Sequence, residues 1–270
     1  MVALLSQLNK KMKSTIRVLG CSGGISEGLR TTSLLLNEDT LIDAGTGVGD
    51  LSIEALKKID QVFLTHSHLD HVCSIAFMVD AVGALREKPL VVYGIRETIE
   101  ALKAHIFNNV IWPDFTVIPS AEKPFLAFKV IGAHSSMKIS EVTITTLPVD
   151  HSVPATGYAI DSGSGKLVFS GDTGPCDEFW TAINALSDVR HVIIETSFDS
   201  TDHALAEISG HLSSTSMVSE IQKLEHTEIQ CWVTHLKPDG REDLFNEVLG
   251  FSRLVGVDLN ELRIGDILRF

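Results

Sequence analysis

The sequence predicts an α/β protein of two packed sheets with helices outside, and three observations point there. Short β-branched apolar runs alternate with helical stretches in both halves of the chain, so neither an all-β nor an all-α architecture fits. At 270 residues, with 44% hydrophobic and 21% charged, the chain can bury a substantial core, which sets disorder and coiled coil aside. No internal repeat, low-complexity tract or linker interrupts the text, so residues 15–270 read as a single domain behind a leader at 1–14.

Thr15-Ile-Arg-Val-Leu19 is β-branched and apolar and reads as the first strand, followed by the Gly-rich loop CSGGISEG from Cys21 to Gly28. Ser33-Leu-Leu-Leu36 and Thr40-Leu-Ile-Asp43 read as paired strands turned by Asn37-Glu-Asp39. A helix over 49–58 leads to a strand at 61–64; helical character follows at 75–85, a strand at 90–93 and a helix over 97–107. The middle third turns β-rich, with strands at 115–118, 142–146, 156–160 and 166–170, the last two turned at Asp161-Ser-Gly-Ser-Gly165. Helices return at 177–186, 213–224 and 241–249, separated by strands at 191–195 and 229–234.

Lys plus Arg number 22 against 35 Asp plus Glu, a formal net charge of −13 that opposes contact with a phosphate backbone or an anionic membrane but not with a small anion held by metal ions. Cys21, Cys73, Cys176 and Cys231 are scattered with no CxxC pair, so free thiols are expected rather than a disulfide framework or a thiolate zinc site. No apolar run approaches the roughly 20 residues of a membrane span. The N-terminus carries its lysines after a four-residue apolar patch, the reverse of a secretory signal, so a cytoplasmic location is expected.

The chemistry is concentrated in Thr65-His-Ser-His-Leu-Asp-His71. One buried histidine is usually a hydrogen-bonded core residue, but His66, His68 and His71 come with Asp70 on a strand-to-helix turn. Imidazole and carboxylate suit zinc-like ions. Residues 66 and 68 on an extended segment point the same way, while 70 and 71 at a helix start address a second ion nearby. Two coordination spheres need more donors at strand ends, and His151, Asp172 and His235 each follow an apolar run.

This set, in this order, resembles the metallo-β-lactamase superfamily, which implies a four-layer αβ/βα sandwich with a dinuclear site at one edge. The resemblance implies His66, His68 and His151 on one ion, Asp70, His71 and His235 on the other, Asp172 bridging, and Asp43 orienting ligand imidazoles. The ions would be zinc, with manganese or iron also fitting the donors. Ser74 departs from the superfamily's usual glycine.

A metal pair implies hydrolysis, with Asp70 in the catalytic centre. Gly210-His-Leu-Ser-Ser214 with Glu195-Thr-Ser-Phe198 resembles the phosphodiesterase branch, which implies His211 as general acid on the leaving oxygen; the plain reading of His211 is the start of a helix capped by Ser209. Within that branch the class II cyclic-nucleotide phosphodiesterases compete with the tRNA 3′-processing endonucleases. Only 21 positions separate His151 from Asp172, which leaves no room there for a tRNA-gripping arm; the net charge suits a small anionic nucleotide; and Ile194 stands where the endonucleases' motif has histidine. The expected reaction is therefore hydrolysis of 3′,5′-cyclic AMP or GMP to the nucleoside 5′-monophosphate by a metal-activated hydroxide. A tRNA endonuclease, a thioester or lactone hydrolase and a non-enzymatic metal-binding protein are the rivals. The resemblance also implies a homodimer. Arg30 could meet the phosphate, and Trp112, Phe115 or Trp180 could stack a base, although aromatic residues of an α/β protein are more often core.

Overall fold

The computed structural model describes residues 14–226 and 228–270, so the leader expected at 1–14 lies outside the described residues apart from Ser14. In chain order the strands are β1 (Thr15–Gly20), β2 (Ser33–Leu36), β3 (Thr40–Ile42), β4 (Gln61–Phe63), β5 (Leu90–Gly94), the short pair β6 (Pro119–Ser120) and β7 (Lys123–Pro124), β8 (Leu126–Val130), β9 (Ser136–Ile139), β10 (Val142–Leu147), β11 (Gly157–Asp161), β12 (Lys166–Phe169), β13 (Val189–Glu195), β14 (Gln230–Thr234), β15 (Leu259–Glu261) and β16 (Ile267–Arg269). The helices are α1 (Ile53–Leu56), α2 (Leu69–Val82), α3 (Arg96–His105), α4 (Asp177–Asn184), α5 (His203–Ser209), α6 (Ser214–Ile221) and α7 (Arg241–Leu254).

Two seven-stranded sheets form, ordered β16-β1-β2-β3-β4-β5-β8 and β15-β14-β13-β12-β11-β10-β9. Alternation along each strand divides the apolar side chains between two faces. Ile16, Val18, Leu34 and Phe63 of the first sheet meet Ile144, Tyr158, Leu167 and Phe169 of the second in a core between the sheets. Leu35, Leu41 and Val62 point the other way, onto Val72, Ile75 and Val79 of α2 and Ile99 and Leu102 of α3. Val168, Val192 and Ile194 point outward from the second sheet onto Trp180, Met217 and Val248 of α4, α6 and α7. The result is the expected αβ/βα sandwich, and it buries Trp180 and Phe115 as core.

Strands β3, β4, β5 and β8 run parallel, as do β12 through β15. Their C-terminal ends deliver loops to a common edge, where the polar residues that follow each apolar run collect.

Several expectations are corrected. The expected helix over 49–58 is a 3₁₀ turn at Thr46–Asp50 followed by the single turn of α1. Helix α2 begins at Leu69, consistent with Asp70 and His71 at a helix start, and its apolar stripe shows only after that first turn, where sequence places helical character from Ile75. Residues 115–118 form no strand; Phe115 packs in the core under α2, and the ladder is supplied instead by β8. Ser209 closes α5 and caps nothing: α6 is capped by Ser213, whose hydroxyl accepts from Ser216 N while the Ser216 hydroxyl accepts from Ser213 N. His211 thus lies in the link between two helices. The four cysteines are free thiols, as expected, and no helix among the described residues is long and apolar enough to cross a membrane.

Candidate metal centre

His66 and His68 leave β4 on extended backbone, with His68 at φ −64° and ψ 147° as the N-cap residue of α2, and Asp70 and His71 occupy its first turn. His151 arrives on the loop after β10, Asp172 on the loop after β12, and His235 directly after β14. All seven expected donors meet. His66, His68, His151 and Asp172 form one group with donor atoms within 4.8 Å of one another, and Asp70, His71, Asp172 and His235 form a second. Asp172 belongs to both: its Oδ2 lies 3.6 Å from His66 Nε2 and 3.3 Å from the Nε2 atoms of His71 and His235.

The arrangement suits bound cations. Four imidazoles turn their Nδ1 protons outward. His71 Nδ1 donates to Asp43 Oδ2 at 2.7 Å and His151 Nδ1 to Gly210 O at 2.7 Å. His66 Nδ1 meets Thr65 Oγ1 at 2.9 Å, and that hydroxyl donates to Asp43 Oδ2 at 2.8 Å. His235 Nδ1 meets Ser197 Oγ at 2.9 Å. The Nε2 lone pairs therefore point inward, at one another and at carboxylate oxygens, and the buried His66 Nε2 has no hydrogen-bond partner. Acceptors in mutual contact repel unless a cation lies among them.

Donor spacing agrees. Ligand bonds of about 2.0–2.2 Å in a tetrahedron separate donors by about 3.3–3.6 Å. Here His68 Nδ1 to His151 Nε2 is 3.2 Å, His71 Nε2 to Asp70 Oδ2 is 3.6 Å, and His235 Nε2 to Asp70 Oδ2 is 3.2 Å. The residues present fit divalent metal ions.

Electrostatics point the same way. Burial pushes His66, His68 and His151 below the usual histidine range, toward the neutral form that ligates. Burial alone would raise the Asp172 carboxyl, but His235 and His71 hold it well below the carboxylate range. Burial would likewise depress His71, yet Asp172 and Asp43 on either side lift it well above 6.5, so this pocket attracts positive charge. Two residues here adopt left-handed backbone, Asp43 at φ 56° and His235 at φ 65°, a strain tolerated where surrounding hydrogen bonds fix the chain.

His211 is buried beside the cluster, with its ring 4.9 Å from His151 and 5.3 Å from His235. Its Nδ1 donates to Glu195 Oε1 at 2.7 Å, and that carboxylate also accepts from Thr173 N at 3.0 Å and from Ser197 Oγ at 3.3 Å. Burial would lower the His211 pKa, but Glu195 raises it above 6.5. Glu195 thus supports His211 directly and His235 through Ser197; sequence reasoning quoted Glu195-Thr-Ser-Phe198 without assigning that work, and only the position at the end of β13 offered a signal. Gly210 is held at φ +69° with its carbonyl on His151, and a Cβ there would stand 2.5 Å from Ser152 N.

Other candidates fall elsewhere. Arg30 pairs with Asp50 at 2.9 Å and lines a separate cavity. Trp112 packs partly buried against the core under α2. Ser74 is buried and donates to Gly45 O at 2.7 Å, which accommodates its departure from glycine.

The Beta-lactamase superfamily domain model matches residues 39–235. The chain is 24% identical to a "Probable 3′,5′-cyclic-nucleotide phosphodiesterase" of Yersinia pestis over 93% of this chain and 88% of that protein. It is 30% identical to a "Ribonuclease Z" of Clostridium beijerinckii over 53% of this chain and 47% of that one. Among solved structures, unliganded yeast PDE1 superposes with a TM-score of 0.79 at 17% identity, covering 96% of this chain and 100% of that chain, which is a likeness of fold.

Proposed function

Since the chain belongs to the β-lactamase superfamily, we propose that it is a metal-dependent phosphodiesterase that hydrolyses 3′,5′-cyclic nucleotides to nucleoside 5′-monophosphates. The observation that carries the reading is two donor groups sharing Asp172 Oδ2 with a carboxylate-supported imidazole, His211, against their edge. His66, His68 and His151 would hold one ion, Asp70, His71 and His235 the other, and Asp172 both; we take zinc as the metal, although imidazole and carboxylate donors fit manganese or iron as well. When bound, such a pair supplies Lewis-acid activation of water and stabilisation of charge developing on phosphoryl oxygens.

The remaining work belongs to side chains. Asp43 fixes the His71 ring directly and the His66 ring through Thr65, which keeps their Nε2 lone pairs on target. Water attacks phosphorus as the bond to the 3′-oxygen breaks, and the departing oxygen needs a proton. His211 donates it: the bond from its Nδ1 to Glu195 leaves Nε2 as the proton-bearing atom on the substrate side, and the carboxylate raises the ring's pKa against the effect of burial, which favours the protonated acid. General-acid help of this kind is typically worth about 10²–10⁴-fold.

Cyclic nucleotide is favoured over RNA by the interval between His151 and Asp172, which β11 and β12 fill as a hairpin turned at residues 162–165. Ile194 supports the same choice, buried against the outer helices rather than turned to the site. A net charge of −13 also suits a small anion better than a folded RNA. The likeness to a "Ribonuclease Z" favours tRNA precursor processing as the second reading. The test is incubation of metal-loaded protein with 3′,5′-cyclic AMP and, separately, with precursor tRNA. Formation of 5′-AMP that is lost in His211→Ala supports the proposal; cleavage of the tRNA with cyclic AMP untouched selects the second reading.

A further inference from the structure

We infer that the crevice beside His151 is a nucleoside subsite, taking the base and ribose of the substrate while its phosphate lies at the donor cluster; this rests on the phosphodiesterase reading above. A cavity of about 760 Å³ separates the loop that carries His151 from the loops that follow β5 and β8. Strands β4, β5 and β8 are parallel neighbours, so the loop after β4, which bears His66 and His68, and the loops after β5 and β8 open at one edge. That edge, outside the C-terminal ends of parallel strands, is where α/β sheets take ligands. His151 lines the cavity and its Nε2 lies 3.2 Å from His68 Nδ1, so cavity and donor cluster share a wall. The volume lies within the range of about 300–1,000 Å³ found for small-molecule sites.

The lining has the mixed character a nucleoside requires. Ile95, Leu147, Val149, Val153 and Pro154 offer apolar surface for the faces of a base, while Arg96, His134 and Asp150 offer a few polar groups for its edge and for ribose hydroxyls. Arg96 is the distinctive member. Its side chain is 69% exposed and stands 3.9 Å from Glu100, beyond hydrogen-bond length, so its planar fork of donors is open to a ring nitrogen or carbonyl of a base. A bare phosphate would need none of these apolar walls, and a long RNA would not be confined to a crevice of this size.

The experiment compares kcat/KM for 3′,5′-cyclic AMP with that for bis(4-nitrophenyl) phosphate, a diester without a nucleoside, in metal-loaded wild type, Val153→Trp, Arg96→Ala and the control Glu100→Ala. We expect the cyclic AMP to bis(4-nitrophenyl) phosphate ratio to fall about tenfold or more in both pocket variants, chiefly through KM, as loss of ground-state binding requires. The Glu100→Ala ratio stays at the wild-type value. Turnover of bis(4-nitrophenyl) phosphate reports that each variant is folded. A ratio within about twofold of wild type in both pocket variants overturns the subsite while leaving the phosphodiesterase reading intact, since a lost pocket contact is typically worth more than that. Wild type that hydrolyses bis(4-nitrophenyl) phosphate but no cyclic nucleotide overturns the cyclic-nucleotide reading, and the subsite with it.

Discussion

Replacing Glu195 by Gln isolates the claim that His211 is a tuned acid. The glutamine keeps an oxygen for His211 Nδ1–H, now 2.7 Å from the carboxylate, and removes only the charge. With charge centres on the order of 4 Å apart, Coulomb attraction between imidazolium and carboxylate is about 4 kcal/mol at an effective dielectric of 20. Hydrogen bonds to charged groups exceed neutral ones by about 1–1.5 kcal/mol. Both effects favour the protonated ring, so removing the charge lowers the His211 pKa from its raised position. The sign follows from the role. Glu195 holds the pKa above 6.5, so the protonated acid is present below that raised value and is lost as pH rises through it. In Glu195→Gln the alkaline limb of kcat moves to lower pH, so the variant loses most on the alkaline side and recovers toward wild type in acid. The assay is kcat against pH for cyclic AMP and for bis(4-nitrophenyl) phosphate, whose leaving group departs without a proton. A limb that does not move, or an equal loss on both substrates at every pH, would refute the assignment.

Other outcomes follow from the same contacts. Asp43→Ala strips the buried acceptor from His71 Nδ1 and Thr65; metal affinity falls about 10–100-fold, measured by competition with a chromophoric chelator, and the orphaned donors lower stability by about 1–3 kcal/mol in denaturant melts. Ser74→Gly restores the superfamily residue but loses the bond to Gly45 O; together with glycine inside a helix this costs about 1–2 kcal/mol of stability with kcat unaffected. Metal removal by a chelator lowers the melting temperature reversibly, because ions held only by the folded donor cluster stabilise the fold by linkage. Metal uptake weakens as pH falls, since protons compete for the imidazoles, and proton release on zinc addition to weakly buffered protein measures it.

The parts of this site that lie close in sequence could be read from it, and the parts assembled by the fold could not. His66, His68, Asp70 and His71 occupy six positions on one turn, so spacing alone brought them together. His151, Asp172 and His235 were legible as polar residues ending apolar runs, but only the two sheets fix that the three strand ends share an edge. The duty of Glu195 was hidden because a carboxylate at a strand end looks the same in sequence whether solvated or sealed; it is fully buried and its contacts, Thr173 and His211, come from segments distant in sequence. For Gly210-His-Leu-Ser-Ser214 the sequence offered Ser209 as the cap, and Ser213 is identified only by its reciprocal bonds with Ser216. Strands β9, β15 and β16 escaped notice because edge strands keep one face in water and carry polar residues such as Ser136, Asn260 and Arg269.

The most direct single measurement is turnover of 3′,5′-cyclic AMP by the metal-stripped protein during stepwise addition of zinc. The account predicts that activity rises until two ions are bound per chain, that the product is 5′-AMP, and that His68→Ala abolishes it. Protein that has bound two zinc ions and leaves both cyclic AMP and cyclic GMP intact would contradict it.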